Sequence, residues 1–187
     1  MVTTVPDPTV RVRELAARVE AKDPFSDAHP ERVAESAVRV GARMGLSVDD
    51  IEALYLGGCV HDIGKISVPR EILLKPGALD DDERTTMELH PVIGANIANF
   101  LDCGEAVNVI RHHHERYDGA GYPDGLTGEG IPILARIVAV CDAYDAMTND
   151  RPYRSRTTPG QAAEALLAGA GSQWDPQVVR VFLEMTA

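Results

Sequence analysis

Apolar residues recur every three to four positions along most of the chain, which is the spacing of amphipathic helices. Between positions 27 and 44, for example, Val33, Ala34 and Ala37 fall on one helical face. The same pattern predicts helices over 11–22, 27–44, 47–61, 81–101, 105–115 and 133–147. The last of these begins with β-branched residues, but its length and its neighbours favour a helix over a strand. We therefore predict an all-α, multi-helix domain.

Breaks and ends of these helices are marked by particular residues. Thr158 is followed by a proline and, three positions on, by a glutamine, which predicts a capped helix start. Pro91 lies inside the longest predicted helix and predicts a kink or break there. Gly64 is expected to end the third helix, which places Lys65 on the exit loop. Residues 118–132 hold five glycines and two prolines and are predicted to form a loop.

Composition limits the classes of function. The chain has 187 residues and a formal net charge of −11, which argues against a surface for duplex DNA or RNA. No apolar run approaches the roughly 20 residues of a membrane span, and no signal peptide is recognisable at the N-terminus. Three cysteines far apart in sequence form neither a disulfide framework nor a CxxC site, which fits a cytoplasmic location (Cys59, Cys103 and Cys141).

Histidines and helix-borne carboxylates carry the candidate chemistry. The pair His61-Asp62 follows an apolar segment that should bring it into the core, where a carboxylate needs a partner or a cation. Asp142 and Asp145 lie three residues apart on the most apolar predicted helix, hence on a similar face. Imidazole and carboxylate together suit first-row divalent ions such as Fe, Mn, Zn or Ni. For His61-Asp62 alone, a buried His hydrogen-bonded to a carboxylate remains the alternative; Asp145 could orient a ligand or pair with an arginine such as Arg151.

Several motifs in order along the chain are similar to those of HD-GYP domains within the HD phosphohydrolase superfamily. After the His61-Asp62 pair, the matching blocks are LKPG at 74–77, HPVIG at 90–94, HHERYDGAGYP at 113–123, DAYDAMT at 142–148 and RPYR at 151–154. The resemblance covers about residues 22–182. It implies a helical HD-domain bundle with a glycine-rich GYP loop, and we assign residues 1–21 to an N-terminal extension and helix and 22–187 to the HD-GYP domain.

The resemblance also implies an activity and a metal centre. Members of this family hydrolyse cyclic di-GMP to linear pGpG, and some continue to GMP, at a cluster of two or three metals that are usually iron or manganese. Carried over to this chain, the implied ligands are His29, His61, Asp62, His90, His113, His114 and Asp142, with Asp62 bridging two metals. Three-metal members carry a glutamate at the position occupied here by Phe25, so we expect two divalent ions, Fe or Mn. A hydroxide bridging them would attack the phosphorus.

Further residues are assigned to the substrate. We expect Lys65 to bind the scissile phosphate and to assist departure of the ribose oxygen, with Asp62 as the other catalytic residue. Tyr122 and Asp145 are predicted to contact the substrate. Arg151 and Arg154 are expected to bind the second phosphate or a guanine edge. His112 precedes the motif and is interpreted as an extra histidine at the surface or behind the ligands.

Two other classes of function stay open at the level of sequence. The chain could be a phosphohydrolase of the wider superfamily that acts on another nucleotide. It could also be a module that binds cyclic di-GMP without cutting it, or that presents the glycine-rich loop to a partner protein. The complete set of implied ligands and the intact loop motif favour the phosphodiesterase.

Overall fold

The computed structural model describes residues 8–20, 28–149 and 156–186. Within these ranges it contains ten α-helices, two short 3₁₀ segments and no strand beyond a single bridge between Ala170 and Trp174. The α-helices are α1 (Pro8–Glu20), α2 (His29–Arg43), α3 (Val48–Val60), α4 (Arg70–Leu73), α5 (Asp81–Glu88), α6 (His90–Phe100), α7 (Ala106–His112), α8 (Ile133–Thr148), α9 (Pro159–Gly169) and α10 (Pro176–Thr186). The 3₁₀ segments are Ile63–Ser67 and Gly128–Gly130. The predicted all-α fold is confirmed.

The core is built where α2 packs against both α3 and α8. One cluster of buried side chains joins these helices to α9 and α10, and includes Val33, Leu54 and Ile137. A second cluster lies between α1, α3, α6 and α7. Full burial of each such side chain contributes about 1.5–3 kcal/mol, so these two clusters hold in place the helix ends that carry the histidines.

The first helix contributes to this second cluster. Val12 is fully buried and Ala16 nearly so, and both pack in the cluster that contains Ile63 and Ile110. The helix predicted for the N-terminal extension therefore packs on the same core as the rest of the chain. The boundary between residues 21 and 22 stays a prediction.

Local sequence signals account for several helix ends. Ser47 and Thr158 each form a capping box, in which the side chain accepts a hydrogen bond from the backbone N–H three residues on and the residue there bonds back. The predicted break at Pro91 is also observed, because α5 ends at Glu88 and α6 begins at His90. This break places His90 in the first turn of a new helix, where proline is tolerated.

The predicted end of the third helix at Gly64 is wrong. Helix α3 ends at Val60, and Gly64 lies within the 3₁₀ segment Ile63–Ser67, as does Lys65. The glycine is required for a different reason: a Cβ atom there would lie 1.9 Å from the His90 carbonyl oxygen and 2.6 Å from the Gly94 nitrogen. Gly64 thus lets the chain after His61-Asp62 approach the backbone of α6.

No helix among the described residues has both the length and the apolar character needed to cross a membrane.

Candidate metal centre

The seven predicted ligands converge from five helices. His29 and His90 begin α2 and α6, His61 caps the C-terminus of α3, and His113 caps that of α7. Asp62 and His114 follow their neighbouring histidines, and Asp142 lies in α8. These side chains form two groups, and the possible ligand atoms of each lie within 4.8 Å of one another: Asp62, His90, His113 and His114 in one, His29, His61 and Asp142 in the other.

Asp62 connects the two groups. Its Oδ1 lies 3.3 Å from His90 Nε2 and 3.9 Å from His113 Nε2, both members of the first group. Its Oδ2 lies 3.4 Å from His61 Nε2 in the second group. The two oxygens of one carboxylate therefore face imidazoles of two different groups, as the predicted bridging role requires.

Hydrogen bonds fix the orientation of four imidazoles. The Nδ1 atoms of His61, His90 and His113 each lie 2.7–2.9 Å from a backbone carbonyl, those of Gly58, Met87 and Ile110. A carbonyl can only accept, so each Nδ1 carries a proton, and in the neutral imidazole each Nε2 is left with a lone pair. His29 donates in the same way from Nδ1 to Asp145 Oδ2 at 2.7 Å. Ligand histidines in metalloproteins are oriented by this type of contact.

The lone pairs directed into the centre fit a cation. His61 Nε2 is buried and has no hydrogen-bond partner among the residues that the structure describes, although most buried polar atoms have one. His90 Nε2 and His113 Nε2 face each other at 3.4 Å, so in this tautomer two acceptors meet without a proton between them. A divalent ion that accepts imidazole and carboxylate ligands would satisfy all three atoms. The residues present therefore suit a metal centre.

Electrostatics keeps the carboxylates ionised. Burial alone would raise the pKa of Asp62, but the nearby Lys65 and His61 outweigh this effect and lower the pKa well below its usual range. Burial would likewise raise the pKa of Asp142, but the hydrogen bond from His29 and the nearby His61 lower it. Both carboxylates thus offer negative charge for a cation.

The histidines divide by their environment. Burial lowers the pKa of His29, but its hydrogen bonds to Asp142 and Asp145 outweigh this and raise it to about 9. Burial and the neighbouring His114 imidazole lower the pKa of His113. Burial and the nearby His90 lower the pKa of His114 to about 4. His113 and His114 are therefore ready to bind a metal at neutral pH, whereas His29 must first lose a proton.

Asp145 lies behind His29. Besides accepting from His29, it accepts from Arg32 Nε at 2.7 Å and Nη2 at 2.9 Å, and from the Asn149 side chain at 3.0 Å. Asp145 thus makes both contacts that the sequence left open: it accepts from the predicted ligand His29, and it pairs with an arginine, which is Arg32. The predicted contact of Asp145 with substrate stays a prediction. Sequence reasoning missed Arg32, although its position one helical turn after His29 puts both on one face.

Two predicted substrate residues border the centre. Lys65 Nζ lies 2.6 Å from Asp62 Oδ2, and the Lys65 side chain is 25% exposed. The Tyr122 ring stacks on the His114 ring with centroids 4.9 Å apart and an angle of 28° between the planes. Substrate contacts of both residues stay predictions. The remaining predicted residues, Arg151 and Arg154, lie outside the described residues, as does Phe25.

Of the two positions predicted for His112, at the surface or behind the ligands, the surface one is wrong. The side chain is buried, and its Nδ1 lies 3.0 Å from the Asn108 carbonyl oxygen. Its Nε2 lies 3.0 Å from Asp124 Oδ2, a contact that ties the end of α7 to the glycine-rich loop. The partner is twelve residues away in an irregular segment, and helical periodicity gives no signal for such a contact.

Comparisons with known proteins identify the family to which this fold belongs. The HD domain family model matches residues 14–178. Over 174 residues the chain is 41% identical to the cyclic di-GMP phosphodiesterase response regulator RpfG of Xanthomonas campestris pv. campestris, a match that covers 90% of this chain and 46% of that protein. It is 36% identical over 176 residues to the 3'3'-cGAMP-specific phosphodiesterase 2 of Vibrio cholerae, covering 92% and 34%.

A solved structure supports the fold independently. The HDG"Y"P protein Bd1817 from Bdellovibrio bacteriovorus superposes with a TM-score of 0.70 at 18% identity, covering 100% of this chain and 74% of that one. The chain belongs to the HD domain family, and its resemblance to the HD-GYP phosphodiesterases is confirmed. It spans less than half the length of the curated relatives just described.

Proposed function

We propose that this chain hydrolyses a phosphodiester bond of cyclic di-GMP and thereby lowers the level of this second messenger. The observation that carries the proposal is the position of Asp62, whose Oδ1 faces His90 and His113 of one group and whose Oδ2 faces His61 of the other. Relatives named as cyclic di-GMP phosphodiesterases support the substrate, at 41% and 40% identity over most of the chain. The proposed product is linear pGpG.

Seven side chains would hold two divalent ions, for which we propose Fe or Mn. The first site would use Asp62 with His90, His113 and His114. The second would use His29, His61 and Asp142 together with the other oxygen of Asp62. When bound, such ions supply Lewis acidity and charge neutralisation at a phosphate and make water a stronger acid. With Phe25 at the position of the family's additional glutamate, we propose two ions and not three.

The protein's own groups would position the substrate and move protons. Asp62, held ionised by Lys65 and His61, fixes the spacing of the two groups of ligands. The Lys65 ammonium is partly exposed beside Asp62, and it would bind a phosphate oxygen and donate a proton to the departing ribose oxygen. The Tyr122 ring, which stacks on His114, would border the place of a base.

A second candidate substrate is 3'3'-cGAMP. Relatives named as specific for this compound are 36% and 41% identical to the chain. Both candidates are cyclic dinucleotides with the same phosphodiester chemistry, so the proposed centre would serve either. A non-catalytic binding module and a partner protein at the glycine-rich loop remain alternatives of a different class.

The test is hydrolysis of each cyclic dinucleotide by protein loaded without oxygen with Fe(II) or Mn(II), with products separated by chromatography. We expect metal-dependent formation of pGpG, and we expect Asp62→Ala to abolish it. The matched control is Asp49→Asn: Asp49 is exposed in the first turn of α3, roughly 18 Å along the helix from His61 at 1.5 Å per residue. Lys65→Ala should lower turnover much more than metal content.

Each outcome has a meaning. Cleavage of 3'3'-cGAMP alone would replace the substrate but keep the class of reaction. No cleavage of either by metal-loaded protein that binds cyclic di-GMP would contradict catalysis and favour the binding module.

A further inference from the structure

The glycine-rich loop, residues 118–132, brings Tyr122 to the metal centre by contacts with the end of α7. The Tyr122 backbone N–H donates to the His114 carbonyl oxygen at 3.3 Å, and the ring stacks on the His114 imidazole. At Gly121 a Cβ atom would lie 2.3 Å from the Arg116 nitrogen and 2.6 Å from the Glu115 Cα. The loop therefore lies directly against the backbone of residues 114–116.

Glu115 is the side chain that holds this loop from inside. It is 4% exposed, which is unusual for a carboxylate. Its Oε1 accepts a hydrogen bond from the Asp124 backbone N–H at 2.7 Å, and its Oε2 accepts one from the Leu126 N–H at 3.1 Å. Both oxygens of a buried carboxylate are thus used on the backbone of one loop, just after Tyr122.

A second set of contacts holds the loop from outside. Asp124 accepts two hydrogen bonds from Arg111, at 2.7 and 2.8 Å, and lies 3.0 Å from His112 Nε2. The Arg111–Asp124 pair is about one-third exposed, so solvent weakens it, as for surface ion pairs in general. The bonds to Glu115 come from the loop backbone itself and end on a buried carboxylate, so solvent weakens them less.

We propose that Glu115 is a positioning residue that holds Tyr122 on the His114 imidazole and thereby fixes the edge of the site at which a cyclic dinucleotide would bind. This inference rests on the proposed function for its consequence in catalysis. Its structural part, the dependence of the Tyr122–His114 stack on Glu115, rests on the contacts alone. No chemical step is assigned to Glu115.

The first test measures the position and protection of the loop and does not depend on enzymatic activity. In Glu115→Gln the shape is kept, but an amide NH₂ must replace one oxygen and then faces a backbone N–H. We expect amide hydrogen exchange at Asp124 or Leu126 to become at least tenfold faster, and the ring-current shift of the His114 resonances to diminish. The matched control is Glu129→Gln, an exposed acid in the same loop, which should change neither signal.

The second test reads substrate binding. We expect Glu115→Gln to raise KM about tenfold, with metal content unchanged and kcat changed less, because the ligands keep their own contacts to Gly58, Met87 and Ile110. In a Tyr122→Ala background the same substitution should have little further effect, because Glu115 acts through Tyr122. Additive effects of the two substitutions would contradict the proposal.

The proposed hydrolysis and the proposed role of Glu115 can be contradicted independently of each other. If the wild-type protein hydrolyses no cyclic dinucleotide, the exchange and resonance measurements still decide the role of Glu115. If Glu115→Gln does not fold, Glu115→Asp takes its place, since it keeps the charge but shortens the reach, and the same faster exchange is expected. Unchanged exchange and an unchanged His114 resonance in a folded variant would overturn the proposal.

Discussion

Substitution of Asp145 by asparagine should weaken metal binding although Asp145 is not a proposed ligand. Asp145 Oδ2 accepts from His29 Nδ1 and from Arg32 Nη2, and Oδ1 accepts from Arg32 Nε and Asn149. Asparagine has one acceptor oxygen, so its NH₂ must face donors on one side. If that side is His29, the imidazole is driven to the tautomer with its proton on Nε2, the nitrogen that faces Asp142 and the proposed ion.

The size of the effect follows from the bond that is lost. A hydrogen bond to a charged group contributes about 1.5–3 kcal/mol, which corresponds to about 10- to 150-fold in an equilibrium constant at 1.4 kcal/mol per tenfold. Loss of a residue that orients a ligand histidine typically costs about 10–100-fold in metal affinity. We therefore expect Mn(II) to bind about 10- to 100-fold more weakly to Asp145→Asn.

Proton competition gives this prediction a second, independent signature. Asp145 also helps to raise the pKa of His29 to about 9, so its removal makes His29 easier to deprotonate. This opposing effect matters most at lower pH, and the deficit in affinity should therefore be larger at pH 8.5 than at pH 7. Calorimetric titration with Mn(II) at both pH values measures it, with Asp49→Asn as the control. Wild-type affinity in Asp145→Asn would refute the orienting role.

Three further predictions concern the backbone, protonation and metal removal. Gly64→Ala should displace the 3₁₀ segment from the His90 carbonyl and lower stability by about 3 kcal/mol or more, because backbone cannot yield as a side chain can; Gly160→Ala, in open space, is the control in thermal unfolding. In metal-free protein, NMR should show His29 titrating near pH 9 and His114 near pH 4. Because the pKa of His29 is raised in the folded state, its contribution to stability is complete below about pH 6.5 and is lost as the pH rises to about 9. Titration of both near pH 6.5 would contradict the described contacts. A chelator should lower the unfolding free energy by about 2.7 kcal/mol relative to protein at a metal concentration 100 times Kd, or roughly 5–10 °C in Tm for a chain of this size, and an unchanged Tm would argue against a bound metal.

Much of the fold was predictable because its signals are local. The capping boxes at Ser47 and Thr158 depend on residues three positions apart, and the break at Pro91 on a missing backbone donor. Gly64 shows where local reasoning ends. It was interpreted as a helix stop because glycine often has that role, but the close approach of α6 is a tertiary contact that no local pattern encodes.

The centre was predictable in its residue types and less so in its supports. The resemblance of the motifs to those of HD-GYP domains implied the seven ligands, and the structure brings them together in two adjacent groups. The supporting residues were harder to find. Nothing in the sequence distinguishes Arg32 from the other arginines as the partner of Asp145. In the described part of the chain, the hydrogen bonds of Glu115 come from backbone N–H groups. A contact to a backbone N–H leaves no side-chain partner in the sequence, so Glu115 was visible only as part of a motif.

Anomalous diffraction from crystals grown without oxygen in the presence of Mn(II) would locate the metal ions and so test the bridged pair at Asp62 directly. We expect two peaks on opposite sides of the Asp62 carboxylate, one near His90, His113 and His114 and the other near His29 and Asp142. A third peak would contradict the interpretation of Phe25. A single peak, or none at Asp62, would contradict the bridged pair on which the proposed hydrolysis depends.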